Sequence, residues 1–275
     1  MSKIKKTLSI LRKDGPVIAY QSIRDYLTPI AIRKSASLYP YLPKVLKRRG
    51  FAAEIDGIFV PLANPRLSRG MFWRLKKGGY EKQDAQMIRT YLREDFPAIN
   101  FGGGSGYTTV LMQQNCAPKT RVIAVEADPA NVPLIKQTRR LNDADFELIN
   151  RAYGVQQDQM AFYSATDFWS SSHHNRDEKD TEKTKVKCIT LKKIIESCSL
   201  NLPVQIHVDM EGGEHELITE ELDVLQSDCA LLLVEFHDFT PREPAYYREL
   251  LNEKGFERIG SIQNRFAYKN ERLSC

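Results

Sequence analysis

No apolar run in this chain approaches the roughly 20 residues that a membrane-spanning helix requires, so the sequence offers no candidate span. The N-terminus is basic, but it lacks the compact apolar core and small-residue cleavage site of a signal peptide. Cysteine is scarce: Cys116, Cys188, Cys198, Cys229 and Cys275 are scattered, odd in number and without paired metal spacing. That excludes a disulfide framework or a zinc ribbon and leaves reduced thiols in a cytoplasmic protein as the expectation. Internal repeats are absent, and no nucleic-acid recognition module is present.

What the chain does have is an uneven charge. Its 275 residues carry a formal +5, yet residues 1–50 hold twelve Lys and Arg against Asp14 and Asp25. The arm is therefore +10, and the remainder sums to −5. Between Pro16 and Ile32, Tyr20, Ile23, Leu27 and Ile30 recur at helical spacing, and Lys44 to Arg49 adds a second basic patch. Two readings stand for residues 1–50: a helix packed on the main body with solvated charges, or a peripheral grip on anionic lipid or an acidic acceptor. Residues 51–275 are expected to form the main domain.

The rest of the chain is organised around Ile99-Asn-Phe-Gly-Gly-Gly-Ser-Gly-Tyr107. A short strand, Phe96 to Ile99, precedes the glycines, and a helical pattern from Tyr107 to Gln114 follows them. Glycine serves where backbone must take positive φ or come close to a ligand, and the N–H groups of such a turn cradle an anionic or polar group. Arg121 to Glu126 then reads as a β-branched strand ending in an acid, 24 positions after Gly102. An acid at the end of the second strand is placed to grip a ribose diol. The glycines Gly102, Gly104 and Gly106 are spaced Gly-x-Gly-x-Gly, one residue shorter than the nicotinamide fingerprint. That spacing is expected of S-adenosylmethionine enzymes, whose cofactor has no pyrophosphate.

Downstream, strands and helices alternate. Strands are expected at Phe146–Ile149, Val204–Val208, Ala230–Glu235, Phe256–Ile259 and Arg265–Tyr268. Helices are expected at Lys82–Arg93, Pro129–Leu141, Leu191–Cys198, Glu214–Leu225 and Arg242–Lys254. Phe51–Asn64 reads as a hairpin turning at Asp56-Gly57. Ala161–Tyr163 and Val186–Ile189 read as short strands, with a polar loop over 167–185 that could act as a lid. The pattern predicts an α/β fold with a mainly parallel seven-stranded sheet and helices on both faces.

The second chemically loaded stretch is Val204-Gln-Ile-His-Val-Asp-Met-Glu-Gly-Gly-Glu214. Alternation places Gln205, His207 and Asp209 on one face of the strand and Ile206 and Val208 on the other. Asp209 emerges at the carboxyl edge, where open α/β sheets bind ligands, and Glu211 follows in the turn. Glu214 opens the next helix, where its charge suits the dipole or serves the site directly.

Tyr80-Glu81, the Gly102–Gly106 turn, Glu126, Ile189-Thr-Leu191, Val208-Asp-Met-Glu-Gly-Gly-Glu214 and Glu235 together resemble the FkbM-type methyltransferases, from about Tyr80 to about Asp238. The resemblance implies a Rossmann-like, class I fold that uses S-adenosyl-L-methionine to methylate a hydroxyl on a sugar, glycan or secondary metabolite. Asn100 stands where the family usually has Asp, and His207 where it commonly has Lys, the latter opening a pH dependence. The expected cofactor contacts are Asn100, Gly102, Gly103, Gly104, Gly106, Tyr107, Glu126, Ala127, Ala152 and Asp209. The expected catalytic residues are Asp209 and Glu211, with His207 or His237 as base. A divalent metal on Asp209, Asp238 and Glu235 is a further option. The rival readings are an NAD-dependent oxidoreductase, for which no convincing helical Tyr-x-x-x-Lys pair follows the glycines, and a membrane-docked protein that binds the cofactor without turnover.

Overall fold

The computed structural model describes residues 27–32, 42, 44–64, 67–164, 182–237 and 241–273. Of the arm helix expected over 16–32, only 27–32 fall within these residues, and they are helical. Helix α1 (Lys44–Phe51) leads into the hairpin β1 (Ala52–Ile55) and β2 (Ile58–Pro61), which turns at Asp56 and Gly57, both at positive φ, as a two-residue hairpin loop demands. Lys44 pairs with Asp143, and Arg48 donates to the Leu141 carbonyl, so two of the arm's cations grip the domain. Helices α2 (Arg69–Lys76) and α3 (Lys82–Tyr91) follow.

The central unit runs β3 (Ala98–Phe101), α4 (Tyr107–Asn115), β4 (Val122–Glu126), α5 (Val132–Leu141) and β5 (Glu147–Asn150). The first core strand lies two residues later than the pattern suggested. The Pro97 carbonyl instead accepts from Gln205, while Phe101 joins the ladder. β6 (Ala152–Tyr153), β7 (Gln159–Ser164) and β8 (Glu182–Ile189) form a separate three-stranded sheet. Residues 182–185 of the expected polar loop therefore belong to a strand, and 167–181 lie outside the described residues.

Helix α6 (Leu191–Ser197) leads to β9 (Val204–Val208), and α7 (Glu214–Glu220) and α8 (Leu222–Asp228) to β10 (Cys229–Glu235). The single helix expected over 214–225 is broken at Glu221 because that side chain turns away. It accepts from Tyr153 Oη and from the Leu191 and Lys192 amides, capping α6. Helix α9 (Pro244–Glu253) and the hairpin β11 (Phe256–Ile262) and β12 (Arg265–Asn270) complete the domain. Among the described residues, no helix is long and apolar enough to cross a membrane.

The main sheet has seven strands in the order β11-β12-β10-β9-β3-β4-β5. The five from β10 to β5 are parallel, and the terminal hairpin adds antiparallel strands at one edge. Alternation divides the core. Ile99, Phe101, Ile123, Val125, Ile206 and Val208 fill one face, while Ala98, Val122, Ala124, Leu231 and Leu233 fill the other. A one-residue slip of β10 would exchange leucine for leucine or valine. The same slip of β9 would bring Gln205 and His207 into the apolar face, so β9 sets the register.

The polar side chains of that opposite face are tied to one another. Asn100 and His207 are register partners on β3 and β9, with Nδ1 of the ring 2.8 Å from Asn100 Oδ1. The ring's Nε2 lies 3.3 Å from Asp84 Oδ1, and Arg265 Nε reaches both Asp84 oxygens at 2.8 and 2.7 Å. Burial opposes the charge on Asp84, but its bonds to His207 and Arg265 hold its carboxyl well below the usual range. A buried ion that loses its partner costs about 3–5 kcal/mol. Asp84→Ala should therefore lower the unfolding free energy by about that much in urea titration. A loss of less than about 1 kcal/mol would mean that Arg265 and His207 find water when the carboxylate goes.

Candidate active site

From β3 the chain proceeds outward to β4 and β5 on one side, and through β9 to β10 on the other. The order reverses between β3 and β9, and a ligand crevice forms outside the carboxyl ends of the strands at such a point. The structure has an open cleft there. Gly102 has φ +92°, and a Cβ on it would lie 1.9 Å from the Asp209 carbonyl oxygen, so no other residue fits. The glycine turn and the Asp209 loop thus press together at backbone level.

Glu126, 5% exposed, holds the turn from the other side. Its Oε2 accepts from the Gly104 amide at 2.7 Å, and its Oε1 accepts from the Asp128 amide at 2.8 Å and from Asn131 at 3.3 Å. Burial pushes its pKa up to about 7, against the pull of the Gly104 and Asp128 amides. The cleft is lined by Gly102, Gly103, Gly104, Glu126, Ala127, Ala152 and Asp209 of the expected cofactor contacts.

Asn100, Gly106 and Tyr107 do not line it. Asn100 is fully buried and spends its amide on Thr108, Thr109 and His207. Gly106 packs on Thr138 and Ile135, and the Tyr107 hydroxyl donates to Asp56. His207 is likewise withdrawn from the rim. It points from mid-strand into the layer of α3, with both ring nitrogens engaged, and has no path to an acceptor.

At the opposite wall four carboxylates converge. Glu81, Asp209, Glu211 and Glu235 all line the cleft, and Glu81 and Glu211 take positive φ of 49° and 53°. Backbone held in this region at two non-glycine positions is the kind of strain that collects at working sites. Asp209 Oδ1 is buried without a hydrogen-bond partner. Burial, reinforced by the charges of Glu235 and Glu81, pushes the Asp209 carboxyl well above its usual value.

His237 faces this group, with Nε2 3.6 Å from Asp209, 3.8 Å from Glu211 and 3.8 Å from Glu235. Its Nδ1 lies 3.0 Å from Glu214 Oε1. Burial disfavours the charged ring, but Glu214, Asp209 and Glu211 outweigh it and raise the pKa to about 9. A ring already protonated at neutral pH is an anchor for carboxylates and a poor base. Glu214, fully buried, accepts from the Gly212 and His237 amides as well as facing the ring, so it orients His237 rather than meeting a ligand. Arg265 pairs with Glu235 at 2.7 Å. No spacing in the sequence singles out Arg265, since Asp84 lies 181 positions away.

The sequence pattern of the Methyltransferase FkbM domain matches residues 99–258, more than half of the chain. The chain belongs to that family. It is an S-adenosylmethionine-dependent methyltransferase of Rossmann-like fold, and the nicotinamide alternative falls. No curated protein matches this FkbM methyltransferase.

Among solved structures it is similar to a protein of the NADB-Rossmann superfamily from Streptococcus agalactiae, at 11% identity and TM-score 0.43 over 70% of this chain and 69% of that one. It is also similar to the precorrin-6y C5,15-methyltransferase of Geobacter metallireducens, at 13% identity and TM-score 0.40 over 67% and 87%. The Methanococcus jannaschii fibrillarin pre-rRNA processing protein matches at 13% identity and TM-score 0.41 over 76% of each chain.

The cleft fits this cofactor. The unsubstituted edge of Gly102 to Gly104 lets a ligand approach the backbone, and Glu126 stands at the end of β4 where a ribose diol would lie. A diol donating to Glu126 is held best by the ionised carboxylate, and burial brings that group's pKa up to about 7, so in the empty fold it is mostly protonated at pH 6 and mostly ionised at pH 8. Affinity for S-adenosylhomocysteine should therefore rise with pH through 7, by about tenfold between pH 6 and pH 8. Calorimetry on the native chain and on Glu126→Gln checks this. The variant should bind weakly with a flat profile, and a flat profile in the native chain would remove Glu126 from the ribose.

Proposed function

We propose that this methyltransferase transfers the methyl group to a hydroxyl of a sugar, glycan or related secondary metabolite, with Asp209 taking the hydroxyl proton. The observation that carries the reading is the Asp209 carboxylate itself. One of its oxygens is buried and unpartnered, its pKa is raised, and its backbone rests on the glycine turn. S-adenosylmethionine supplies an electrophilic methyl on a sulfonium.

The protein must then place the acceptor oxygen in line and accept its proton, and a carboxylate with a raised pKa is the stronger base once ionised. Around Asp209, Glu211 and Glu235 offer acceptor oxygens when ionised, while burial and the neighbouring Asp84 push the Glu81 carboxyl well above its usual value. An acceptor molecule rich in O–H donors complements such a wall. Met71, Met160, Phe162 and Met210 supply apolar surface for its carbon skeleton. His237 and Arg265 keep the carboxylates together by offsetting part of their mutual repulsion.

The test is tritium transfer from methyl-labelled cofactor to a panel of sugars and glycans. The expected product is a methyl ether, and Asp209→Asn should reduce its formation about 10²–10⁴-fold, the range for loss of a general base. Label appearing only on nitrogen or sulfur acceptors, or turnover unchanged in Asp209→Asn, would contradict the reading.

A further inference from the structure

We infer that the wall formed by Asp209, Glu211 and His237 is a divalent-cation site open to the acceptor half of the cleft. The three residues come from separate places, the end of β9, the turn before α7 and the segment after β10, yet one donor atom from each lies within 4.8 Å of the others. His237 Nε2 stands 3.6 Å from Asp209 Oδ1 and 3.8 Å from Glu211 Oε2. Adjacent ligands of a six-coordinate ion with bonds near 2.1–2.2 Å are about 3 Å apart. Release of the Nε2 proton to solvent as the ion binds, with a small inward shift of three side chains, would close the set.

Two further observations point to a ligand there. The Asp209 Oδ1 atom is buried and makes no hydrogen bond: its facing group, His237 Nε2, stands 3.6 Å away, beyond bonding reach, so the atom is left short of a partner. Behind the imidazole, the fully buried Glu214 lies 3.0 Å from Nδ1, which directs Nε2 toward the carboxylates. A carboxylate that orients a histidine from behind is the usual support of a metal-bound imidazole. Glu211 reaches the set from a left-handed backbone conformation, so its direction is imposed by the turn.

The sequence offers Asp209, Asp238 and Glu235 as one possible set of metal ligands. Asp238 lies outside the described residues, and Glu235 is bound to Arg265 and Asn264. The structure favours Glu211 and His237 in their place. Two carboxylate oxygens and one imidazole nitrogen suit Mn²⁺ better than Ca²⁺ or Mg²⁺, which prefer oxygen alone. The cation's use rests on the methyl-transfer reading: on the acceptor side it would bind neighbouring hydroxyls and lower the pKa of the one to be methylated. Its binding does not rest on that reading.

The experiment is titration of the chelator-treated, full-length chain with Mn²⁺, followed by loss of the free-ion electron paramagnetic signal. One saturable ion per chain is expected, with affinity weakened about tenfold or more in Glu211→Gln and in His237→Gln. Should either variant fail to fold, broadening of the His237 ring resonances by Mn²⁺ in the native chain is the second readout. No saturable binding, unchanged binding in both variants, or unbroadened ring signals would each overturn the site. S-adenosylhomocysteine calorimetry on the same samples separates the two claims. Cofactor binding without Mn²⁺ binding removes the cation alone, and Mn²⁺ binding without cofactor removes the methyl-transfer reading alone.

Discussion

The contact on which everything else depends is backbone against backbone: Gly102 at the end of β3 lies against the Asp209 carbonyl at the end of β9. Parallel strands whose connections leave in opposite directions open a gap at their carboxyl ends. Here the gap closes at its floor because one of the two chains has no Cβ. The approach fixes Asp209 relative to the glycine turn, and the turn relative to Glu126 through the Gly104 amide. On the proposed reading, a nucleoside on one side and an acceptor on the other would share Asp209 between them.

The second constraint is charge. Four carboxylates around one cavity repel each other and resist leaving water. The fold answers with a half-buried histidine and an arginine, each held from behind: His237 by Glu214, and Arg265 by Asp84. Asp84 is in turn joined to His207, and His207 to Asn100, so the acidic wall is connected through the sheet to β3. Asn100 and His207, where the sequence resemblance leads one to expect Asp and Lys, sit in that buried chain of contacts. They meet each other, and neither lines the cleft. Their substitution therefore bears on how the sheet is held together before it bears on chemistry.

Most of the architecture was legible because its signals are local. Glycine at Gly102, the β-branched run ending at Glu126 and the alternation in β9 each follow from a handful of adjacent residues. Position and partnership were less legible. β3 begins later than expected because hydrogen bonding to β9 decides its ends. The break at Glu221 serves the start of α6, about 30 residues earlier in the chain. Asn100 and Tyr107 flank the glycines in sequence yet face Thr109 and Asp56, since a strand turns alternate residues away from a cleft and a helix turns away all but one of its faces. Arg265 comes from an edge strand and finds Asp84 only through the completed sheet. Glu81 stands beside Tyr80 among the residues that carry the sequence resemblance, and both line the same cleft.

The most direct measurement is a crystal structure of the full chain with S-adenosylhomocysteine bound. The account predicts the ribose hydroxyls on the Glu126 carboxylate, the amino-acid end over Gly102 to Gly104, and the sulfur directed toward Asp209. A ligand bound away from the β3–β9 crevice, or turned so that its sulfur faces away from Asp209, would contradict it.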